Sequence, residues 1–288
     1  MTMTSTQPAR PAGSASLLAA SAGRAGFTGA LRSEFTKIRS LKSTYWTLLA
    51  LVVVCISIGA LFSLGQVSHV QQFAGTRASA SVIADAKVHA VATSLFGLLF
   101  GQLIIVVLGA LVITSEYSTG MIRTSLTTMP RRGTLFAAKA IVFGTVALVI
   151  GLITSFGSFL AGQAILSTQH VNAALGQPGV LRAVIGGGLF LAACGLLSFG
   201  IGAVLRHTAG AITASIGLLF VLLILSGFLP GNWAAHIDKW IPFNAGAAIW
   251  ERFTGTDMFQ PWTGFAVFCG YAAIAILGGL ILFRRRDA

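Results

Sequence analysis

The sequence predicts an all-α polytopic membrane protein with six transmembrane helices, an N-terminal amphipathic helix, and short re-entrant-like helices on the outer side before the last span. Three observations predict this class. Hydrophobic residues make up 55% of the 288-residue chain, and its mean hydropathy of +0.86 is too apolar for the surface of a soluble domain. Long charge-free stretches recur six times, and basic residues concentrate in alternate connectors.

The spans are placed by length and by the absence of charge. A helix needs roughly 20 apolar residues to cross about 30 Å of hydrocarbon. Six stretches without Asp, Glu, Lys, Arg or His are long enough, at about 45–65, 91–114, 140–162, 183–204, 209–229 and 263–283. The predicted domain organisation is a disordered tail over 1–26, biased to Ala, Ser, Gly and Pro, followed by one six-span domain over 27–288.

The basic residues predict the orientation, because Lys and Arg beside span ends are retained in the cytoplasm. With the N-terminus inside, 14 of the 19 Lys and Arg residues are cytoplasmic and 5 are outside. Six spans then put both termini in the cytoplasm. The net charge of +12 faces anionic lipid headgroups instead of forming a basic soluble domain, so nucleic acid is not an expected partner.

The segment FTGALRSEFTKIRSLKSTYW precedes the first span and has helical periodicity. Its apolar residues fall in one arc of a helical wheel: Phe27, Leu31, Phe35, Ile38, Leu41 and Tyr45. Basic side chains, including Lys37 and Arg39, flank the arc, which predicts an amphipathic helix along the inner membrane surface. A plain basic flank would need no apolar stripe. Glu34 falls inside the arc, where it either pairs with Lys37 or meets a positive group on a partner.

The loop before the last span, 230–262, holds four of the five tryptophans: Trp233, Trp240, Trp250 and Trp262. Tryptophan prefers the headgroup layer of a membrane. The loop is therefore predicted to return toward the outer leaflet as short helices, broken at Pro242 and Gly255.

Several kinds of chemistry are absent from the sequence. The predicted spans contain no ionisable residue, and Gln102 and Gln163 are their most polar side chains. Ion-coupled carriers and intramembrane enzymes use such groups, so both classes are disfavoured. There is no HExxH, GxSxG or GxxxxGK[ST] motif. We expect no catalytic residue, no metal site and no cofactor on this chain, and any work must come from another polypeptide.

The longest inner connector between spans is SEYSTGMIRTSLTTMPRRG, residues 115–133, which we call the 115–133 connector. A short helix is predicted to begin at Gly120 and to end before Pro130. Its three arginines suit carboxylates on a protein or phosphates on lipids. Apolar residues such as Met121 and Leu126 favour a protein contact. The alternative is that the arginines only flank two spans, as the positive-inside rule requires.

Three stretches in a fixed order carry a family resemblance: EFTKIRSLKSTYWTLL (34–49), ITSEYSTGMIRTSLTTMPRRGTLFAAKAIV (113–142), and LPGNW to IPFNAGAAIW (229–250). Placed among six spans, they resemble the permease subunits of type 2 ATP-binding-cassette (ABC) exporters of actinobacteria. The most specific piece is E-Y-x-x-G-x-I-R-x-x-L-x-x-x-P-R-R, which begins at Glu116 and ends at Arg132.

The resemblance implies roles for three groups of residues. The connector would be a coupling helix that contacts a separate ATPase subunit, with Glu116, Gly120, Met121, Ile122, Arg123, Leu126, Pro130, Arg131 and Arg132 as the coupling residues. The amphipathic segment would be an elbow helix with Glu34, Phe35, Lys37, Ile38 and Arg39. The outer-leaflet helices would include Trp233, Trp240, Pro242 and Trp250. Glu116 is expected to anchor the connector through Arg123 or through an arginine of the partner.

The resemblance also implies an assembly and a location. Two permeases, identical or homologous, would join two ATPase subunits in the bacterial plasma membrane, with ATP and Mg bound by the ATPase. A rival hypothesis is a membrane anchor or regulator that recruits a cytoplasmic protein through the same connector and transports nothing.

Overall fold

The computed structural model describes residues 27–119, 132–228, 236–251 and 258–285, and within these ranges the regular elements are all helical. The helices are α1 (Phe27–Ser40), α2 (Lys42–Gln72), α3 (Ser79–Leu95), α4 (Leu98–Ser118), α5 (Arg132–Leu166), α6 (Val180–Leu205), α7 (Thr208–Ile216), α8 (Leu222–Ser226), α9 (Pro242–Ala247) and α10 (Pro261–Arg285). A π-helical turn, Gly217–Val221, joins α7 to α8. Short 3-10 turns lie at Ser167–Gln169 and Asp238–Trp240. The predicted tail, 1–26, lies outside the described residues.

Among the described residues, six helical stretches are long and apolar enough to cross a membrane, which confirms the predicted class. They are Lys42–Gln72, Ser79–Ser118, Arg132–Gln169, Val180–Leu205, Thr208–Ser226 and Pro261–Arg285. Most extend beyond the charge-free limits used for the sequence prediction. Much of 66–90, expected to be an outer loop, is helical, and only 73–78 separates α2 from α3. The helices continue past charged residues because a helix can extend beyond the apolar stretch that lies within the membrane.

Helices α3 and α4 meet at a two-residue turn, Phe96 and Gly97, within the second span. A Cβ atom on Gly97 would collide with the backbone of Cys55 in α2. Glycine therefore lets this turn lie at van der Waals distance from α2, and a larger residue at position 97 would prevent that contact.

Helix α6 is the centre of the bundle and packs against α4, α5 and α10. In its most apolar stretch, 72% of the residues are buried, compared with 17% in the fifth span. Small residues allow the close crossings. A Cβ on Gly109 of α4 would meet the carbonyl of Gly195, and one on Gly151 of α5 would lie 2.7 Å from the carbonyl of Gly188. These contacts explain the glycines that recur along the third and fourth spans.

The two glutamines that stand out in the spans have different environments. Gln163 donates to the Ala90 carbonyl at 3.0 Å and to Ser94 Oγ at 2.8 Å, and accepts from the Ala173 amide at 2.6 Å. It therefore ties the end of α5 to α3 and to the following loop. Gln102 is fully buried, and neither of its amide atoms has a hydrogen-bond partner in the described part of the chain.

One end of the bundle gathers the start of α5 and the ends of α4, α6 and α10, and we call it the basic end. Arg206 donates to the Leu282 carbonyl at 3.1 Å, and its guanidinium lies 5.0 Å from the centre of the Tyr117 ring. The side chain of Arg284 lies against Gly133. These contacts place both flanks of the 115–133 connector beside the last span.

Candidate functional site

Four charged side chains meet at the basic end, and we call Glu34, Lys37, Glu116 and Lys139 the ion cluster. Lys139 Nζ lies 2.6 Å from Glu34 Oε2 and 2.6 Å from Glu116 Oε1. Lys37 Nζ lies 3.2 Å from Glu34 Oε1 and 3.0 Å from Glu116 Oε1. Each lysine therefore bridges both glutamates. The two negative and two positive charges balance within the cluster.

The cluster is largely withdrawn from solvent. Glu34 is 2% exposed, Glu116 6% and Lys139 4%, whereas the Lys37 side chain is 33% exposed. Buried charges persist only when they are paired, because an isolated ion loses its hydration without compensation. Burial acts to lower the pKa of Lys37, but the hydrogen bond and charge of Glu116, together with Glu34, outweigh it and raise that pKa. Lys37 is consequently positive at neutral pH.

Three helices supply the cluster. Glu34 lies on the face of α1 that is buried with Ala30, and α1 packs against α5. Glu116 is in the last turn of α4, and Lys139 is two turns into α5. These two helices flank the 115–133 connector. The cluster therefore joins the amphipathic helix to both ends of the connector.

The structure adds a contact to each of two sequence expectations, one about Glu34 and one about Glu116. Glu34 does contact Lys37, as one alternative proposed, but its shorter contact is to Lys139, on its own chain. Glu116 was expected to bind Arg123 or an arginine of a partner, whereas the structure pairs it with Lys37 and Lys139. Arg123 itself lies outside the described residues. The helical wheel places residues within one helix, so it could not reveal a lysine from a different helix.

The second and third helical spans are longer than the charge-free limits, and they include ionisable residues that lie outside those limits. Glu116 belongs to span two, and Lys139 belongs to span three. The charge-free limits end the second span at 114 and begin the third at 140, so both residues lie outside them. In the sequence, Lys139 is one of the 14 basic residues that predict the orientation. The available signal was a single lysine directly before an apolar run and a glutamate at the end of another.

The structure describes only part of the predicted coupling set. Glu116 lies in the ion cluster, and Arg132 is half-buried at the start of α5. Gly120, Met121, Ile122, Arg123, Leu126, Pro130 and Arg131 lie outside the described residues.

The predicted elbow residues all lie on α1. Phe35 is 52% exposed, Arg39 is exposed, and Ile38 packs against the buried core. The buried face of α1 is thus centred on Glu34 rather than on the whole apolar arc. In a membrane protein, the outward Phe35 suits contact with lipid.

The predicted outer-leaflet residues lie in two different environments. Pro242 is the first residue of α9, where its missing N–H costs no helical hydrogen bond. Trp240 is 52% exposed, as expected at an interface. Trp250 is only 3% exposed and packs 6.2 Å from the Phe190 ring of α6, so it belongs to the protein core rather than the headgroup layer. Trp233 and Gly255 lie outside the described residues.

Next to Trp250, Glu251 is the last described residue before 252–257. Burial raises the pKa of its carboxyl group to about 7. No sequence pattern identified it, because the burial of a loop residue depends on tertiary packing.

A comparison with known proteins gives the family of the chain. The model of the family described as "ABC-2 family transporter protein" matches residues 31–288, from α1 through the last span. No curated protein matches the chain. The family match includes every member of the ion cluster and all six spans. The chain therefore belongs to the ABC-2 transporter family and is the membrane-spanning permease of an ABC transporter.

Proposed function

We propose that this permease couples ATP hydrolysis by a separate nucleotide-binding subunit to the export of a substrate across the bacterial plasma membrane. The 115–133 connector faces the cytoplasm in this proposal and contacts the ATPase. The family match supports an ATP-driven transporter. The ion cluster is the observation that carries the coupling role.

The cluster provides a mechanical link from the connector into the membrane. Glu116 lies just before the described chain stops at Thr119, and Lys139 lies seven residues after it resumes at Arg132. Separating Glu116 or Glu34 from Lys139 would leave a buried charge without a partner, which is strongly unfavourable. The elements α1, α4 and α5 therefore move together when the ATPase displaces the connector. Rigid-body motion of packed elements is a common way to transmit such a displacement.

The energy source and the assembly follow from the same proposal. The chain has no phosphate-binding loop of its own, so ATP and Mg bind to the ATPase subunits. Two permeases, identical or homologous, would combine with two ATPase subunits. The fifth and sixth spans each bury only 17% of their most apolar stretch within one chain. Their outward faces are available to lipid and to the second permease.

Charge reversal in the connector tests the coupling role. We expect Arg123→Glu and Arg131→Glu to leave membrane insertion intact and to reduce copurification of the ATPase, because carboxylates on the partner would then be repelled. Arg77→Glu is the matched control, since Arg77 is exposed in the turn between α2 and α3. Undiminished copurification and ATP-dependent transport in both connector variants would refute the proposal.

Reconstitution separates a transporter from the rival anchor or regulator. Liposomes that contain the permease and its ATPase should show ATPase activity that a transported compound stimulates. An anchor would retain the ATPase on the membrane, but no compound would stimulate hydrolysis. Vectorial transport by the permease alone would also contradict the coupling mechanism.

A further inference from the structure

A cavity of about 400 Å³ lies between the start of α2 and the second half of α4, directly beside the ion cluster. Its volume falls in the range of small-molecule sites, about 300–1,000 Å³. The described parts of α1 and α5 also contribute to its wall, through members of the ion cluster. The coupling role does not require such a cavity, because the four charged groups already contact one another.

The wall of the cavity changes from apolar to polar along α4. Leu108, Leu111 and Val112 form the apolar part, and Ser115 and Glu116 follow toward the basic end. Eight residues separate Leu108 from Glu116, which corresponds to about 12 Å along a helix. This gradient suits an amphiphile whose tail lies along α4 and whose head group reaches the ion cluster.

Glu116 has capacity for one more donor. Its Oε1 atom accepts hydrogen bonds from both Lys37 and Lys139. Its Oε2 atom is buried and has no hydrogen-bond partner among the described residues. A buried acceptor without a donor is unfavourable. The terminal torsion of a glutamate is broad, so the carboxylate can turn to share its two oxygens between the lysines and a donor in the cavity.

The charges of the cluster restrict the head group further. Because two glutamates and two lysines cancel, the cluster favours neither sign at a distance. At close range, the second oxygen of Glu116 accepts from an N–H or O–H group, which neither a sulfate anion nor a quaternary ammonium supplies. The neighbouring hydroxyls of Ser115, Thr44 and Thr47 provide further acceptors.

We propose that this cavity binds an amphiphile whose head group donates hydrogen bonds, as a primary ammonium or a hydroxyl does, to Glu116. The site is distinct from the ATPase contact of the proposed function. The proposed binding site does not depend on the direction in which the permease transports its substrate.

Binding of a defined probe tests the site. The full chain is placed in phosphatidylcholine nanodiscs, whose headgroups carry no N–H or O–H donor, and radiolabelled dodecylammonium is measured by equilibrium dialysis against empty discs. We expect saturable binding above the empty discs. Dodecyltrimethylammonium should bind about 10-fold more weakly or worse, because it cannot donate to a carboxylate, and dodecyl sulfate should not compete. No saturable binding, or equal binding of all three compounds, would overturn the proposal.

A matched pair of substitutions locates the binding. Leu111→Trp fills the cavity, whereas Leu160→Trp places the same side chain on an exposed position of α5 outside the cavity. We expect dodecylammonium binding to be lost in the first variant and kept in the second. Val112→Trp repeats the test if Leu111→Trp does not insert. Unchanged binding in the cavity variants would place the ligand elsewhere and refute the site.

The source of the ligand is decided by adding phosphatidylethanolamine to the discs. Competition with dodecylammonium would identify a membrane lipid with a primary ammonium as an occupant. Retained binding would indicate an amphiphile that is not a bilayer lipid. The measurement uses neither ATP nor the ATPase, so its failure would leave the proposed coupling untouched.

Discussion

Lys139 is the residue on which the ion cluster depends. It contacts Glu34 and Glu116 at 2.6 Å each and is 4% exposed. Without it, two buried carboxylates would face each other with only the half-exposed Lys37 to balance them. A buried ion pair adds little net stability relative to an apolar pair, but removal of one partner is costly because the other charge stays buried.

At this scale we predict that Lys139→Met lowers the free energy of unfolding by about 3–5 kcal/mol. Unfolding can be followed by denaturant titration of the protein in mild detergent. Lys42→Met is the control, because Lys42 is exposed at the start of α2, and it should have little effect. The double variant Lys139→Met with Glu116→Gln restores charge balance and should recover part of the loss. Equal stability of the two single variants would show that the cluster is not a stabilising unit.

Among the elements, α6 determines how closely the helices approach. Its glycines leave no room for a Cβ atom: Gly200 lies against the backbone of α10, Gly188 against Leu152 of α5, and Gly202 against Ile113 of α4. In a membrane, lipid tails are as apolar as the helix surface, so close backbone packing replaces the hydrophobic effect as the reason for association. The crossings of α6 therefore hold the bundle together.

The crossing of α4 and α6 gives a prediction for these elements. Gly109→Ala should destabilise the bundle by about 1–3 kcal/mol, because its Cβ would meet the Gly195 carbonyl and force the helices apart. Gly65→Ala in α2 is the control, since no atom lies within 4 Å of its Cβ position. Alanine in an open helical position should be neutral or stabilise by up to about 1 kcal/mol. Thermal unfolding in detergent compares the two, and equal effects would contradict the close crossing.

The whole molecule separates its charges between two ends. The basic end holds the ion cluster, both flanks of the connector and the end of α10, while Trp240 and α9 belong to the opposite end with the loops that join spans three to four and five to six. This separation is expected of an oriented membrane protein, because basic residues beside span ends are retained in the cytoplasm. It also concentrates every candidate contact for the ATPase on one face.

Cysteine labelling tests the predicted orientation. Cys55 and Cys194 are buried, so a Cys269→Ala background removes the exposed thiol among the three. Gly176→Cys, in the exposed loop before α6, should react with a membrane-impermeant maleimide in intact cells. Thr124→Cys, in the 115–133 connector, should react only after the cells are made permeable. The reverse pattern would invert the topology and remove the basis for an ATPase contact.

The six spans followed from the sequence alone, because apolar length is a local property that any bilayer-crossing helix must have. The segment over 27–40 is helical, as its periodicity predicts, and the predicted helix break at Pro242 falls between the 3-10 turn Asp238–Trp240 and α9. Span ends were less reliable, since a charge limit ends a span where the helix itself continues. That limit also concealed the ion cluster, by removing Glu116 and Lys139 from the spans.

Tertiary structure decided which charges meet and which tryptophans are buried. Glu34 and Lys139 are 105 residues apart in sequence, and no periodicity relates two helices that pack at the basic end. The same is true of Trp250, whose burial against Phe190 depends on how the outer loop folds over α6. The sequence by itself determined that this chain crosses the membrane six times with an uneven charge distribution. Only packing determined the balanced charge cluster and the cavity beside it, because both arise from side chains brought together by different helices.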